Sequence, residues 1–214
     1  MSFSAANLLL VGVLLLNLFF LGTSRIRALI QAAALQGVVL GVMPLLIHGR
    51  VDWNTGAIAI ATIVLKGSVI PGMLRRALRE AQIKREVEPL IGLAPTMLLG
   101  ALGTLLSIAF ASGLPLAPEH QNLLVVPASF STVLTGFLLL TTRFKAITQA
   151  IGYLVLENGI FIFGLLLIEA MPFLVEIGVL LDLFVGIFVV SIIIHHINRE
   201  FASLDTRRLA ALKE

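Results

Sequence analysis

Three charged side chains lie near the middle of long apolar stretches of the sequence: Lys66, Glu157 and Asp182. A charge at the centre of a bilayer costs about 2.5–3.5 kcal/mol on insertion scales, so such residues face a bundle interior, a partner subunit or a water-filled cavity. One lysine cannot neutralise two carboxylates, so at least one carboxylate pairs elsewhere or is protonated part of the time. A carboxyl group held in that way can pass a proton. The three residues therefore predict an ion pathway, a proton relay or a counter-ion role; the alternative is a lysine–carboxylate pair that only fixes helix packing.

Two neutral polar residues are assigned to the same path. Gln36 lies at a comparable depth in the second apolar stretch, where its amide offers a hydrogen-bonding group. Asn158 directly follows Glu157 and is itself followed by Gly159. This Glu-Asn-Gly sequence predicts a polar, loosely packed turn in the middle of the membrane.

The surroundings of Asp182 favour a helix that another helix can approach. Gly178 and Gly186 flank Asp182 at intervals of four residues, so the three positions share one helix face. Small residues there allow close contact and leave space for water. Glu176 lies about six residues outward of Asp182 on a different face. It is assigned either to a continuation of the path or to the outer membrane interface.

The composition is that of a polytopic membrane protein. Of the 214 residues, 58% are hydrophobic and only 13% are charged, whereas a soluble domain carries about 25% charged residues. The chain has no cysteine, which excludes disulfides and iron–sulfur ligation by this chain, and we expect it to bind no cofactor or metal of its own. We predict an all-α fold with about seven transmembrane helices, since the apolar runs have the length that a bilayer requires. These runs cover residues 5–22, 28–47, 56–74, 90–112, 123–140, 147–168 and 172–194.

The basic residues alternate strongly between successive loops. Of the 15 Lys and Arg residues, all but Arg50 and Lys66 lie in the first, third and fifth loops or in the tail after the last span. Cytoplasmic loops carry an excess of Lys and Arg. The pattern predicts an N-terminus outside the membrane and a C-terminus in the cytoplasm.

The sequence contains an internal repeat. The segment "TSRIRALIQAAALQGVVLG" (Thr23–Gly41) lies 118 residues before "TTRFKAITQAIGYLVLENG" (Thr141–Gly159), and the two align without a gap. Each copy has one apolar span before it and another after it, so we predict two three-helix repeats joined by a linking helix. An odd number of helices separates the copies, so the repeat is parallel, unlike the inverted repeats of many transporters. The predicted units are residues 1–80 (first repeat), 81–119 (basic loop and linking helix), 120–196 (second repeat) and 197–214 (cytoplasmic tail).

Three segments of the second half carry a family resemblance. The stretches "GYLVLENG" (Gly152–Gly159), "VEIGVLLDLFVGIFVV" (Val175–Val190) and "HHINREFASLDTRRLAALK" (His195–Lys213) resemble component E of hydrogenase 4, a membrane subunit of formate-hydrogenlyase-type complexes. The resemblance extends over the whole chain and is most specific in residues 143–214.

The second repeat is also similar to the K subunit of complex I and the C subunit of Mrp-type antiporters. Arg143 and Lys145 match the basic loop of that family. The helix that follows matches at Gly152 and Asn158, and the last helix matches at Asp182 and Gly186. The first glutamate of the family pattern falls on Leu154, while the carboxylate of this chain is Glu157, nearly one helical turn further on.

The resemblance implies a subunit without a redox centre that serves a larger enzyme complex in a bacterial inner membrane. Its partners would be antiporter-like and other membrane-arm subunits and a soluble hydrogenase module that holds the [NiFe] and iron–sulfur clusters. Glu157 and Asp182 would accept protons, and Lys66 would tune their charge. Two alternatives stay open: a subunit of a multisubunit cation/proton antiporter, and a structural scaffold that packs neighbouring subunits.

Overall fold

The computed structural model describes residues 2–48, 53–80, 87, 89–115, 124–166, 184, 186–188 and 191. Within these residues the regular secondary structure is helical and no strand is formed; an isolated antiparallel bridge joins Pro89 and Arg143. The all-α class predicted from the sequence is confirmed. The helices are α1 (Ser2–Gly22), α2 (Ile26–His48), α3 (Trp53–Val64), α4 (Ile70–Glu80), α5 (Leu93–Ser112), α6 (Val125–Thr142) and α7 (Ala146–Gly164).

Five of these helices are long and apolar enough to cross a bilayer. They are α1, α2, α5, α6 and α7, and they correspond to the first, second, fourth, fifth and sixth predicted spans. The third predicted span is built from α3 and α4, and it runs on through Glu80 rather than ending at residue 74. The seventh predicted span lies mostly outside the described residues, although residues 184, 186–188 and 191 are helical.

A π-helical turn, Leu65–Val69, joins α3 to α4 and contains Lys66. The N–H of Ile70 donates to the carbonyl of Leu65 across the wider turn. Pro71 supplies a physical reason, because proline has no N–H and its ring clashes with the carbonyl four residues earlier, that of Gly67. Such π-turns occur often at functional sites, and this one sets the direction of the Lys66 side chain.

Helices α1 and α6 lie side by side and run in the same direction. At one end the side-chain oxygen of Asn7 accepts a hydrogen bond from the N–H of Leu124 at 3.0 Å. At the other end Arg143 Nη2 donates to the carbonyl of Leu21 at 2.9 Å. That carbonyl is among the last four of α1, which have no partner within their own helix. Arg143 is almost fully buried, and burial lowers the pKa of its guanidinium below the ordinary value.

The segment before α5 holds together the two helix junctions that the repeat relates. The N–H of Val87 donates to the carbonyl of Ser24 at 2.7 Å, and the N–H of Leu90 donates to the carbonyl of Thr142 at 2.8 Å. The α1–α2 junction, the α6–α7 junction and this segment therefore lie at one end of the bundle. The alternation of basic residues predicted the same arrangement of the three loops.

The buried apolar side chains form two clusters, separated along the helix axes. The junction cluster lies at the end where α1 meets α2, and the far cluster lies toward the opposite end. The layer between them contains the buried polar residues of the candidate site. The junction cluster includes Phe20, Ile30, Leu74, Leu139 and Ile151, and the far cluster includes Leu10, Val13, Leu40, Met43 and Ile162.

Candidate functional site

Five buried polar side chains form one continuous chain of hydrogen bonds between the two apolar clusters. We call it the polar array: Lys66, Asn158, Gln36, Asn17 and Thr132. Lys66 Nζ donates to Asn158 Oδ1 at 3.1 Å, and Asn158 Nδ2 donates to Gln36 Oε1 at 3.0 Å. Gln36 Nε2 donates to Asn17 Oδ1 at 3.1 Å, and Asn17 Nδ2 donates to Thr132 Oγ1 at 2.9 Å.

Each member of the polar array comes from a different element: the π-turn, α7, α2, α1 and α6. No member exposes more than 6% of its surface. A polar group buried without a hydrogen-bond partner costs several kcal/mol in hydrocarbon, so these side chains stabilise the bundle only when all five elements are in register.

Close approach of α2 to the π-turn brings Gln36 near Lys66. A Cβ atom placed on the next residue, Gly37, would lie 2.7 Å from Lys66 Cβ and 2.9 Å from the Lys66 carbonyl oxygen. Only glycine allows this distance between the two backbones. Lys66 Nζ also lies 5.6 Å from the centre of the Phe161 ring, a cation–π contact that further stabilises the ammonium group.

Glu157 lies on α7 directly before Asn158 and is 2% exposed. Its carboxylate faces the backbone of Gly186. A Cβ atom placed on Gly186 would lie 3.2 Å from Glu157 Oε2 and 3.7 Å from Oε1. A buried carboxylate, a buried ammonium group and an amide chain thus occupy one layer of an otherwise apolar interior.

A small cavity of about 10 Å³ lies beside the Lys66 end of the polar array. A volume of about 10–15 Å³ is the least that holds one water molecule. Leu154, on which the first glutamate of the K-subunit pattern falls, is one of the residues that line this cavity. The lining residues are Ala33, Lys66, Ile70, Pro71, Leu154 and Asn158.

The structure brings together four of the six residues that the sequence assigned to an ion path. Lys66, Gln36 and Asn158 are joined by hydrogen bonds, and Glu157 is the neighbour of Asn158 in the chain. Asp182 and Glu176 lie outside the described residues, and their assignment stays a prediction.

One expectation about this region is wrong. Gly159 does not belong to a loosely packed turn, because a Cβ atom there would lie 2.6 Å from the backbone nitrogen of Val133. Ser129 Oγ also donates to the carbonyl of Gly159 at 2.8 Å. Helices α6 and α7 are therefore in backbone contact beside the polar array, as small residues permit in membrane proteins.

Two members of the polar array were missed from the sequence, Asn17 and Thr132. Asn17 interrupts the first apolar run, "NLLLVGVLLLNLFFLG", and a lone amide within such a run is the signal that could have found it. Thr132 carries no such signal, because threonine is common in membrane helices and often bonds the carbonyl one turn back.

Replacing Gly186 by alanine tests the contact with Glu157. The added methyl group would lie 3.2 Å from Glu157 Oε2, close enough to displace the carboxylate by a few tenths of an ångström. We expect the added methyl group to lower the free energy of unfolding of the purified chain by about 1 kcal/mol or more, the usual effect of overpacking a buried contact. Gly164→Ala is the control, because no atom of the described residues lies within 4 Å of that Cβ position; equal stability of the two variants would contradict the contact.

Long apolar helices around a buried polar layer define an all-helical integral membrane protein. More narrowly, the chain belongs to the family of a Mycobacterium tuberculosis protein named "Uncharacterized protein Rv0085". The two are 33% identical over 206 residues, which is 95% of this chain and 93% of that protein.

The chain is also similar to proteins named hydrogenase-4 component E. Those of Escherichia coli K12 and Shigella flexneri are each 29% identical to it over 163 residues, which is 75% of this chain and 72% of the relative. The predicted resemblance to that component is confirmed. No protein-family model and no solved structure matches the chain.

Proposed function

We propose that this chain is a membrane subunit of a hydrogenase-type, complex I-related oxidoreductase complex, where it contributes to proton or sodium translocation coupled to electron transfer. The observation that carries the proposal is the buried Glu157 beside the polar array, within a layer bounded by apolar clusters on both sides. An ionisable residue inside the membrane marks an ion pathway or a proton relay by default. The similarity to hydrogenase-4 component E supplies the type of complex.

Glu157 is the proposed proton acceptor. A carboxyl group exchanges protons readily, and a buried one does so only with partners that the fold brings to it. Lys66 binds Asn158, the residue next to Glu157, so its positive charge acts on the same layer. The positive charge of Lys66 would favour the charged form of the Glu157 carboxyl group and so its release of a proton.

Asp182 is proposed as the second proton-accepting group, and Glu176 as a further one toward the outer face. Gly186 lies against the Glu157 carboxylate, and Asp182 precedes Gly186 by four residues, about one turn of a helix. The contact at Gly186 supports a path that passes from Glu157 to the last helix.

The redox chemistry belongs to partner subunits in this proposal. The chain has no cysteine, so the [NiFe] and iron–sulfur clusters would be held by a soluble hydrogenase module. Antiporter-like and other membrane-arm subunits would complete the complex in a bacterial inner membrane. The N-terminus would lie outside and the C-terminus in the cytoplasm, as the distribution of Lys and Arg favours.

The proposal includes two parallel three-helix repeats joined by α5. Ser24 and Thr142 are 118 residues apart, the offset of the sequence repeat, and their carbonyls accept the two hydrogen bonds from the segment before α5. Helices α1 and α6 run in the same direction. Both observations support a parallel duplication.

Purification of the native complex through a tag on this chain tests the proposal. We expect nickel and iron to copurify with the chain in fixed ratio and hydrogenase activity to follow both metals. Copurification with antiporter-type subunits and without nickel would instead identify a multisubunit cation/proton antiporter. A second tagged membrane protein from the same cells serves as the control for contaminating hydrogenase.

A further inference from the structure

We infer that the polar array is a fixed chain of amide dipoles that holds the ammonium group of Lys66, and that protons do not travel along it. The part of this inference that concerns proton movement rests on the function proposed above. The dipole chain itself follows from the hydrogen bonds. Gln36 and Asn158, which the sequence assigned to the ion path, become positioning residues, and Asn17 and Thr132 join them.

The direction of every hydrogen bond in the polar array is set by its two ends. An ammonium group can only donate, so Asn158 must present its oxygen to Lys66 and its nitrogen to the next residue. Gln36 must in turn accept with its oxygen from Asn158 and donate with its nitrogen to Asn17, whose oxygen accepts that bond. All three amides therefore have their oxygens on the side nearer Lys66, which is the orientation that stabilises a positive charge.

The far end of the polar array closes on the backbone. Thr132 Oγ1 accepts from Asn17 and donates to the carbonyl of Ala128 at 2.6 Å. The Thr132 hydroxyl group therefore forms both its donated and its accepted hydrogen bond with partners inside the bundle. The array thus ends inside the bundle at Thr132.

Amides are poor carriers of protons. A proton that enters at an amide oxygen can leave at the nitrogen only through a high-energy imidic acid, whereas a carboxyl group accepts and releases protons at its two oxygens. The three amides between Lys66 and Thr132 therefore block the transfer of a proton along the array from the Glu157 side to α1 and α6. On its other side the Glu157 carboxylate lies close to Gly186, in the last predicted span.

A double-mutant cycle in the purified full-length chain tests the dipole chain. Asn17→Leu and Lys66→Met keep the side-chain shape and remove the polar groups. Asn17 and Lys66 are not hydrogen-bonded to each other. The effects of the two substitutions on the free energy of unfolding should therefore add, unless the polar array couples them. We expect Asn17→Leu to lower the folded-to-unfolded ratio about tenfold in the unaltered chain and about twofold or less in the Lys66→Met chain. Equal effects in the two backgrounds would overturn the inference.

The cycle has an internal control and a milder second variant. Thr104→Val removes a hydrogen bond between α5 and α6 that joins Thr104 Oγ1 and Ser131 Oγ at 2.8 Å and lies outside the polar array. Its effect should be the same with and without Lys66→Met. If Asn17→Leu does not fold, Thr132→Val replaces it at the far end of the array, with the same expected dependence on Lys66.

The proton part is tested in the assembled complex with Gln36→Met, which interrupts the polar array at its centre. We expect the number of protons moved per electron to be retained in Gln36→Met and lost in Glu157→Gln. Equal loss in both variants would mean that protons use the amides. If Glu157→Gln also retains the ratio, the proposed function is wrong, while the double-mutant cycle still decides whether the dipole chain exists.

Discussion

Replacement of Glu157 by glutamine is expected to stop proton translocation while electron transfer through the assembled complex continues. Glutamine has nearly the same shape as glutamate but cannot take up and release a proton. Loss of a positioned proton-transfer group slows the step that it serves by about 10²–10⁴-fold. The measurement is the ratio of protons moved to electrons transferred in vesicles that contain the complex, with assembly checked by the amount of tagged chain that copurifies with its partners.

The Glu157→Gln variant also separates the proposed function from a scaffold role. A scaffold needs only the shape of the side chain and its contacts, and glutamine preserves both in large part. Normal assembly with an unchanged proton-to-electron ratio would therefore identify Glu157 as a packing residue. Thr104→Val is a suitable companion, because it alters a polar group of α5 that does not belong to the polar array.

Replacement of Gly159 by alanine is expected to destabilise the bundle by about 1–3 kcal/mol, the usual effect of overpacking a close contact. The new methyl group would lie 2.6 Å from Val133 N and 2.9 Å from the carbonyl of Ser129. Helices α6 and α7 would have to separate, which weakens the hydrogen bond from Ser129 to the carbonyl of Gly159. The free energy of unfolding of the purified chain measures the effect.

A matched control lies five residues further along α7. No atom of the residues that the structure describes lies within 4 Å of the Gly164 Cβ position, so Gly164→Ala makes the same chemical change without a clash against them. Its stability should equal or slightly exceed that of the unaltered chain, since alanine favours a helix more than glycine does. If Gly159→Ala proves no less stable than Gly164→Ala, the backbone contact between α6 and α7 is refuted.

The helices could be predicted because the bilayer imposes a simple local rule. Every backbone polar group must be satisfied within the helix, and the side chains must be apolar over about 20 residues, so runs of sequence give the spans directly. The rule gives no information about where a helix continues beyond the apolar run. That is why the third predicted span ends at residue 74, whereas α4 carries on through "RRALRE" to Glu80.

The repeat in the sequence predicted equivalent junctions but not equivalent packing. Gly41 and Gly159 occupy the same position in the two copies, yet Gly41 approaches Ala59 and Ile63 of α3, whereas Gly159 approaches Val133 and Ser129 of α6. Gly41 therefore faces the helix that follows it, and Gly159 faces the helix that precedes it. Arg143 is buried against α1, while its counterpart Arg25 is exposed. Both copies of the repeated segment are helical, and the partners around each copy determine which faces are buried.

The sequence by itself determined that Lys66 and Glu157 must lie inside the bundle, because a charge exposed to lipid is too costly at that depth. Only the tertiary structure decided what surrounds them. Asn17, Gln36, Asn158 and Thr132 stand on four different helices, and nothing local to any one of them shows that their amide and hydroxyl groups meet. Whether they do depends on the depth and rotation of each helix, which backbone contacts such as the one at Gly37 set. Hydrogen bonds between helices are short and directional, so a shift of about one ångström or a small rotation would break the array.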